Sequence, residues 1–272
     1  MCEFCTKHGE GKKWYEVMEN YSKELLADPA RQRYFKSFVQ NFRSHTYTNL
    51  QKLEWSRQKL PLAYRFIRKI ATISVKNNHY GQVVPLEDAL KIVEMAQSIT
   101  RIPCVCRSVT AGKNNARYCL LLGIDPSDTI KHWPEIESSL ETLTVEAAQQ
   151  LLAEFDRNGL VHSIWTFKTP FIGAICNCDH DCMAYKTQIS SELMNVMFKA
   201  EYIADIDLLS CVGCRNCQRL CQFGAVEYSV VNQKCYINLQ KCYGCGVCRS
   251  ACKKGAIRLL DKAFTPNERL KT

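Results

Sequence analysis

Eight cysteines in the last third of the chain are written twice in one spacing. Cys211-x-x-Cys214-x-x-Cys217-x-x-x-Cys221 returns as Cys242-x-x-Cys245-x-x-Cys248-x-x-x-Cys252, each cysteine 31 positions on (211 to 242, 221 to 252). The tail repeats too, Gly224-Ala225-Val226 matching Gly255-Ala256-Ile257. This is an internal duplication, and it predicts two like units in one small domain. The composition of the chain changes near residue 198. That divides it into a region 1–198 and a domain 199–272.

The spacing has a physical reason. A C-x2-C-x2-C run wraps a loop around one face of a metal–sulfide cube, and loop N–H groups can point at the sulfurs and soften their charge. Gly213, Gly244 and Gly246 give such a loop its backbone freedom. The fourth cysteine, expected on the short helix that follows, turns toward the other half. The expected ligand sets are therefore crossed: Cys211, Cys214, Cys217 and Cys252 for one [4Fe–4S] cluster, Cys242, Cys245, Cys248 and Cys221 for the other. With all eight ligand positions present, residues 199–272 resemble the bacterial two-cluster [4Fe–4S] ferredoxins. The resemblance implies a pseudo-twofold βαββαβ domain that carries one electron per cluster. One departure is visible: the family usually has proline after each fourth cysteine, where this chain has Gln222 and Lys253. A pair of zinc sites is the rival use of the eight thiols. Cys235, in an expected strand 234–239, fits neither set and reads as an unligated thiol.

Eight further cysteines precede the repeat, making 17 in 272 residues. An odd number, behind a Met1-Cys2-Glu3-Phe4-Cys5 start with no apolar run, argues against a secreted disulfide scaffold. It predicts a cytoplasmic protein whose thiols bind metal or do redox chemistry. Two tight sets stand out, Cys104-Val105-Cys106 after Ile102-Pro103, and Cys176-Asn177-Cys178 with Cys182. The first is expected in an extended or turn segment and the second on a loop, where a C-x-C pair can aim two sulfurs at one metal. Cys104, Cys106, Cys176 and Cys178 are the candidate ligands of a third [4Fe–4S] cluster or a zinc ion, with Cys119 and Cys182 as rivals. Unligated thiols are the bland alternative, and Cys119, followed by three leucines, also reads as a small core residue. Ile102-Pro103-Cys104, Gly159-Leu160-Val161-His162 and Ile175-Cys176-Asn177-Cys178 together resemble a region found upstream of two-cluster ferredoxin domains in proteins of anaerobes. That resemblance implies an architecture and no reaction. Cys2, Cys5 and His8 could give three ligands at a terminus that frays by default.

The region 1–198 reads as mainly helical, giving an α+β chain. Helical spacing of apolar residues covers 10–75, broken at Asp28-Pro29 and Leu60-Pro61. A helix is expected from Pro85-Leu86 to Ile99 and another over 145–155, capped by Thr144 and ended by Gly159. Strands 160–167 and 171–175 around Lys168-Thr169-Pro170 then complete a winged-helix-like outline. A further strand is expected over 201–206. His162 reads as a core histidine.

The net charge is +9 (36 Lys and Arg, 27 Asp and Glu). Residues 199–272 carry 12 basic and 6 acidic residues, and two clusters at −2 each would leave the domain about +2. Positive charge there favours reduction and a redox partner with an acidic docking surface. Residues 31–69 hold ten Lys or Arg against Glu54 alone, with interleaved aromatics that fit a core face under a solvated or partner-binding basic one. No nucleic-acid signature accompanies that charge, and no apolar run is long enough to span a membrane. There is no glycine-rich phosphate loop, no serine–histidine–aspartate order and no flavin signature, so no catalytic residue is assigned. The expectation is an electron-transfer protein or oxidoreductase subunit of an anaerobe, without chemistry of its own beyond electron exchange. The rival readings are a cluster-assembly factor and a redox-responsive regulator binding DNA through the winged-helix-like segment. For the regulator, the candidate recognition helix carries Glu146 and Glu154 and no basic residue over 145–155.

Overall fold

The computed structural model describes residues 3–124 and 140–265. The first part is helical and its breaks fall where the prolines put them. Helices α1 (Glu3–His8) and α2 (Lys23–Leu26) flank two single turns of 3-10 helix at Trp14–Glu16 and Met18–Tyr21. Then come the long α3 (Pro29–Lys59) and α4 (Pro61–Asn78). Asp28 caps α3, its carboxylate accepting the Arg31 N–H at 2.8 Å, and Pro29 and Pro61 each occupy a first turn, where the missing N–H costs nothing.

The rest of the N-terminal region is built on a sheet, where the sequence suggested a mainly helical region. Seven strands lie in the order β4-β2-β3-β6-β5-β1-β7: β1 (Gly81–Val83), β2 (Ile99–Ile102), β3 (Cys119–Leu122), β4 (Glu141–Leu143), β5 (Val161–Thr166), β6 (Ile172–Cys178) and β7 (Met197–Phe198). All neighbours are antiparallel except β1 and β7. The chain is thus mixed α/β. Helix α5 (Leu86–Met95) follows Pro85 as expected but stops four residues short of Ile99. Ile99, Thr100 and Ile102 are β-branched and pair with Cys119–Leu122 instead. Between them α6 (Val105–Ala111) follows β2, and α7 (Val145–Arg157) follows β4. Thr144 Oγ accepts the Ala147 N–H at 3.2 Å, and Gly159, at φ +83°, ends the turn beyond α7.

The hairpin β5–β6 is not a free wing. β5 also pairs with β1 and β6 with β3, because both strands are buried along their length and neither offers a solvated edge. Alternation sorts the side chains. Leu120, Leu122, Ile164 and Ile175 face α5 and α7. Leu121, Trp165, Ala174, Cys119 and Cys176 face the other way, toward Phe35 and Phe38 of α3.

Beyond residue 198 the elements run β8 (Tyr202–Ile206), α8 (Asn216–Leu220), β9 (Val226–Ser229), β10 (Lys234–Ile237), α9 (Val247–Ser250) and β11 (Ile257–Asp261). The two outer strands pair antiparallel, Ile257 opposite Ile206, and so do the inner two, Ile237 opposite Val226. The segment packs on the same side of the large sheet as α3: Ala200, Phe223 and Val247 share a core with Trp165 and Met197. Polar ties cross the same boundary. Arg249 pairs with Glu87 at 2.5 Å, and Ser250 Oγ donates to Asp156. Asp88, buried, accepts from Tyr15 at 2.9 Å and Tyr202 at 3.1 Å, while Lys13 bonds Tyr202 and pairs with Asp261 at 3.1 Å.

Candidate functional site: two crossed cysteine voids and a thiol basin

The duplication in sequence is also one in backbone conformation. Gly213 and Gly244 have φ of +67° and +70°, and Gly224 and Gly255 both have +61°. The next matched pair is Arg215 at +63° and Gly246 at +83°. A non-glycine pays for that left-handed geometry. The Arg215 guanidinium lies over the Tyr228 ring, 3.6 Å from its centre, which offsets part of the cost.

These turns close two small voids. Cys211, Cys214, Cys217 and Cys252 line the first, together with Cys235. Cys242, Cys245, Cys248 and Cys221 line the second. Each void therefore takes three cysteines from one motif and the last from the other. The fourth cysteines are not within the helices: Cys221 follows the last residue of α8 and Cys252 lies two past α9, while Cys217 and Cys248 are the helical members. Loop N–H groups do meet sulfur. The Ala225 amide donates to Cys221 Sγ at 3.2 Å and that of Gly244 to Cys242 Sγ at 3.4 Å. The environments differ. Cys214 is exposed and the rim of the first void carries exposed Val212. The second void is covered by Phe223 and Tyr243, whose rings stack at 4.1 Å. Burial pushes Cys217 up to about 12, with Cys235 adding to it, and drives Cys245 and Cys248 upward as well. Thiols held neutral in this way give up their protons when a metal replaces them.

A second gathering lies on the sheet. Cys119 and Cys176 are directly opposite in β3 and β6, and Cys178 follows on the same face of β6. The second C-x-C pair thus stands on a strand rather than a loop. In the first pair Cys104 is extended, as expected after Pro103, while Cys106 lies within α6. Cys119 Sγ is 3.3 Å from Cys104 Sγ and 3.9 Å from Cys176 Sγ, and it also bonds Cys106; Cys178 bonds Cys182. All four proposed N-terminal ligands and both rivals are brought together. Their chemistry is unequal. Cys104 Sγ accepts the Tyr118 N–H at 3.0 Å and faces the buried Arg107 guanidinium at 3.7 Å. The Cys119 thiol, with these two groups and against burial, brings Cys104 down to about 7. Cys176 is lowered by Cys119, but burial and neighbouring sulfurs win and set it at about 11. Arg107 pairs with Asp179 at 2.9 Å and donates to Asn177 O at 3.2 Å, tying α6 to the end of β6.

Beside these thiols is a largely apolar cavity of about 410 Å³. Phe38, Trp165 and His79 wall it, His79 stacked on Trp165 at 5.1 Å with its Nδ1 2.7 Å from Thr166 O. Four thiols line it: Cys106, Cys176, Cys178 and Cys182. Among the described residues, no three His, Cys, Asp or Glu side chains close on a point that would hold a single metal ion.

The remaining candidates fall elsewhere. Cys2 lies outside the described residues. Cys5 is buried and donates to Glu201 at 3.3 Å, while His8 packs on Phe4. His162 is fully buried, Nδ1 2.6 Å from Asn177 Oδ1, and burial lowers its pKa, as suits a core histidine. Cys235, also buried, backs onto Cys217. In the basic stretch, Arg31 is structural, donating to Phe167 O at 3.1 Å and Lys168 O at 3.0 Å. Helix α4 shows solvent an apolar face, Leu62, Phe66, Ile70 and Ile73, with Arg65 and Lys69 beside it. No described helix is long and apolar enough to cross a membrane.

Compared with known proteins, the chain matches no family model, and no curated protein and no solved structure is similar enough to count as a match.

Proposed function

We propose that the chain is an iron–sulfur electron-transfer protein, or a subunit of a larger oxidoreductase, whose residues 199–272 hold two [4Fe–4S] clusters in a ferredoxin-like domain. The observation that carries the reading is the crossing: each void is lined by three cysteines of one repeat and the fourth of the other. A mononuclear zinc site asks for four sulfurs about 2.3 Å from one point. Among the described residues no three such side chains already close on one ion, and the reading rests on the crossing of the two repeats. A bound cluster supplies reversible one-electron exchange.

The chain's own residues do the rest. Cys211, Cys214, Cys217 and Cys252 hold the more exposed site, and the exposed Val212 and Lys254 on its rim form a surface for a partner with an acidic rim. Phe223 and Tyr243 exclude water from the site of Cys242, Cys245, Cys248 and Cys221, which lowers the local dielectric and lets the Gly244 and Ala225 amides act strongly on the sulfurs.

The test is iron and acid-labile sulfide on full-length protein purified without oxygen and reconstituted. About eight or more of each per chain is expected, with Cys214→Ala and Cys245→Ala each losing about four. Zinc without sulfide, or far fewer than eight irons, refutes the reading.

A further inference from the structure

We propose that the thiol basin binds a third [4Fe–4S] cluster, with Cys106, Cys176, Cys178 and Cys182 as its ligands. Binding there does not depend on the two C-terminal sites. Its role as a third electron station rests on the function proposed above.

The cavity makes the choice among six thiols. Cys106 comes from α6, Cys176 and Cys178 from one face of β6, and Cys182 from the turn after it, and all four line the same 410 Å³ space. Cys104 and Cys119 do not line it. The Cys104 sulfur already has an amide, a guanidinium and the Cys119 thiol around it, so it acts behind the ligands. Cys182 therefore replaces Cys104 in the set expected from sequence. Four thiols lining one roomy, largely apolar cavity suit a polynuclear cluster, and among the described residues no three such side chains close on a single ion. On loading, each thiol releases its proton and its sulfur takes one iron corner, two ferrous ions, two ferric ions and four sulfides from solution making up a core of charge +2. Buried Arg107 faces Cys104 with its charge paired to Asp179, whose other oxygen lies 4.0 Å from Cys182 Sγ, so the ion pair stands behind the ligands without adding net charge.

The position is connected. Three residues after Cys182, Tyr185 packs its ring 6.2 Å from that of Phe223 and donates to Gln222 O, next to Cys221. Phe223 in turn lines the second void. These two rings link the turn after Cys182 to the wall of that void. An electron passing between the basin and that void oxidises one cluster as it reduces the other.

The experiment is anaerobic reconstitution of the full chain with ferrous and ferric iron and sulfide, read by metal and sulfide analysis and by paramagnetic resonance of the protein after reduction. The expected result is about twelve irons and twelve sulfides. The double variant Cys178→Ser/Cys182→Ser is expected to fall to about eight and lose one of three signals, with the other two unchanged. The double variant Cys104→Ala/Cys119→Ala, in the same basin, is expected to keep all twelve. About eight irons in the parent chain overturns the proposal and leaves the C-terminal reading standing. One zinc in their place assigns the basin to a structural ion and also overturns it. Loss of iron from the Cys104/Cys119 variant but not from the Cys178/Cys182 variant overturns the ligand assignment. About four irons in the parent, lost on changing Cys178 and Cys182, would sink the ferredoxin reading and keep the basin.

Discussion

Substituting Gly244 with alanine tests the geometry of the second cysteine loop. Two costs add. The residue sits at φ +70°, where a β-carbon costs about 1–2 kcal/mol. That carbon would also stand 2.0 Å from Tyr202 O and 2.7 Å from Tyr202 C. Contacts of that kind cannot relax by a rotamer change, because both atoms are backbone. Tyr202 cannot easily retreat, since it opens β8, pairs with Asp261, and has its hydroxyl held by Asp88 and Lys13. Overpacking of this sort costs a further 1–3 kcal/mol or so, giving roughly 2–5 kcal/mol in all. In a chain of this size that lowers Tm by roughly 5–15 °C. The matched Gly224 and Gly255, at φ +61° with open space around them, supply the control. Alanine there pays the left-handed cost alone, about 1 kcal/mol after the gain from a stiffer unfolded chain. Gly213→Ala should fall between, because its clash, 2.2 Å to Gln233 O, is with a turn that can shift. The assay is thermal unfolding of all four variants beside iron content after reconstitution. Gly244→Ala is expected to melt lowest and to lose about four irons. If it melts with Gly224→Ala, the loop does not take the described conformation. If it melts low and keeps all its iron, the loop is not a ligand loop.

Two further outcomes follow from other parts of the structure. Asp88→Ala removes the acceptor shared by Tyr15, Tyr202 and Lys13, and breaking such a buried charged network should cost about 3–5 kcal/mol, read as a fall in denaturation midpoint; a change under 1 kcal/mol would show that the tie between the N-terminus and β8 carries no stability. Burial brings His79 down to about 4 from the usual 6.5, so the unfolded chain takes up its proton first as pH falls. The stability that this neutral ring contributes is full above pH 6.5 and is lost toward pH 4, by up to about 3 kcal/mol. The His79→Phe variant should show a correspondingly flatter stability profile over that window, and an unchanged profile would mean that the ring is not buried neutral.

The two kinds of cysteine site differ in how much of them a sequence can carry. The C-terminal voids are nearly local. Each loop needs three cysteines within seven residues and glycines at left-handed positions, and only the crossing of Cys221 and Cys252 is long-range. Spacing alone is therefore enough to name those residues. The basin is made by sheet register. Cys119 meets Cys176 because β3 and β6 pair Leu120 with Ile175, and Cys106 reaches the same cavity because β2, two strands away from β6, hands the chain to α6. None of this has a period in the sequence. The loop placement expected for the second C-x-C pair fails because Asp179-His180-Asp181, a turn signal for the whole segment, ends β6 only after Cys178. The winged-helix outline fails for a related reason: strands 160–167 and 171–175 are visible as a pair, but β1, β2, β3 and β7, two to four residues each, are too short to read by alternation. Register also sets the strictest condition on the basin. A one-residue slip of β6 against β5 would turn Cys176 and Cys178 to the face where α5 and α7 pack and bring Ile175 to the cavity. The buried Asn177 resists that slip. Its side chain donates to Tyr118 O at 2.7 Å and its oxygen meets His162, while its backbone oxygen receives Arg107. The polar residue between the two cysteines is thus tied to β3, β5 and α6 at once, and it holds the pair in place.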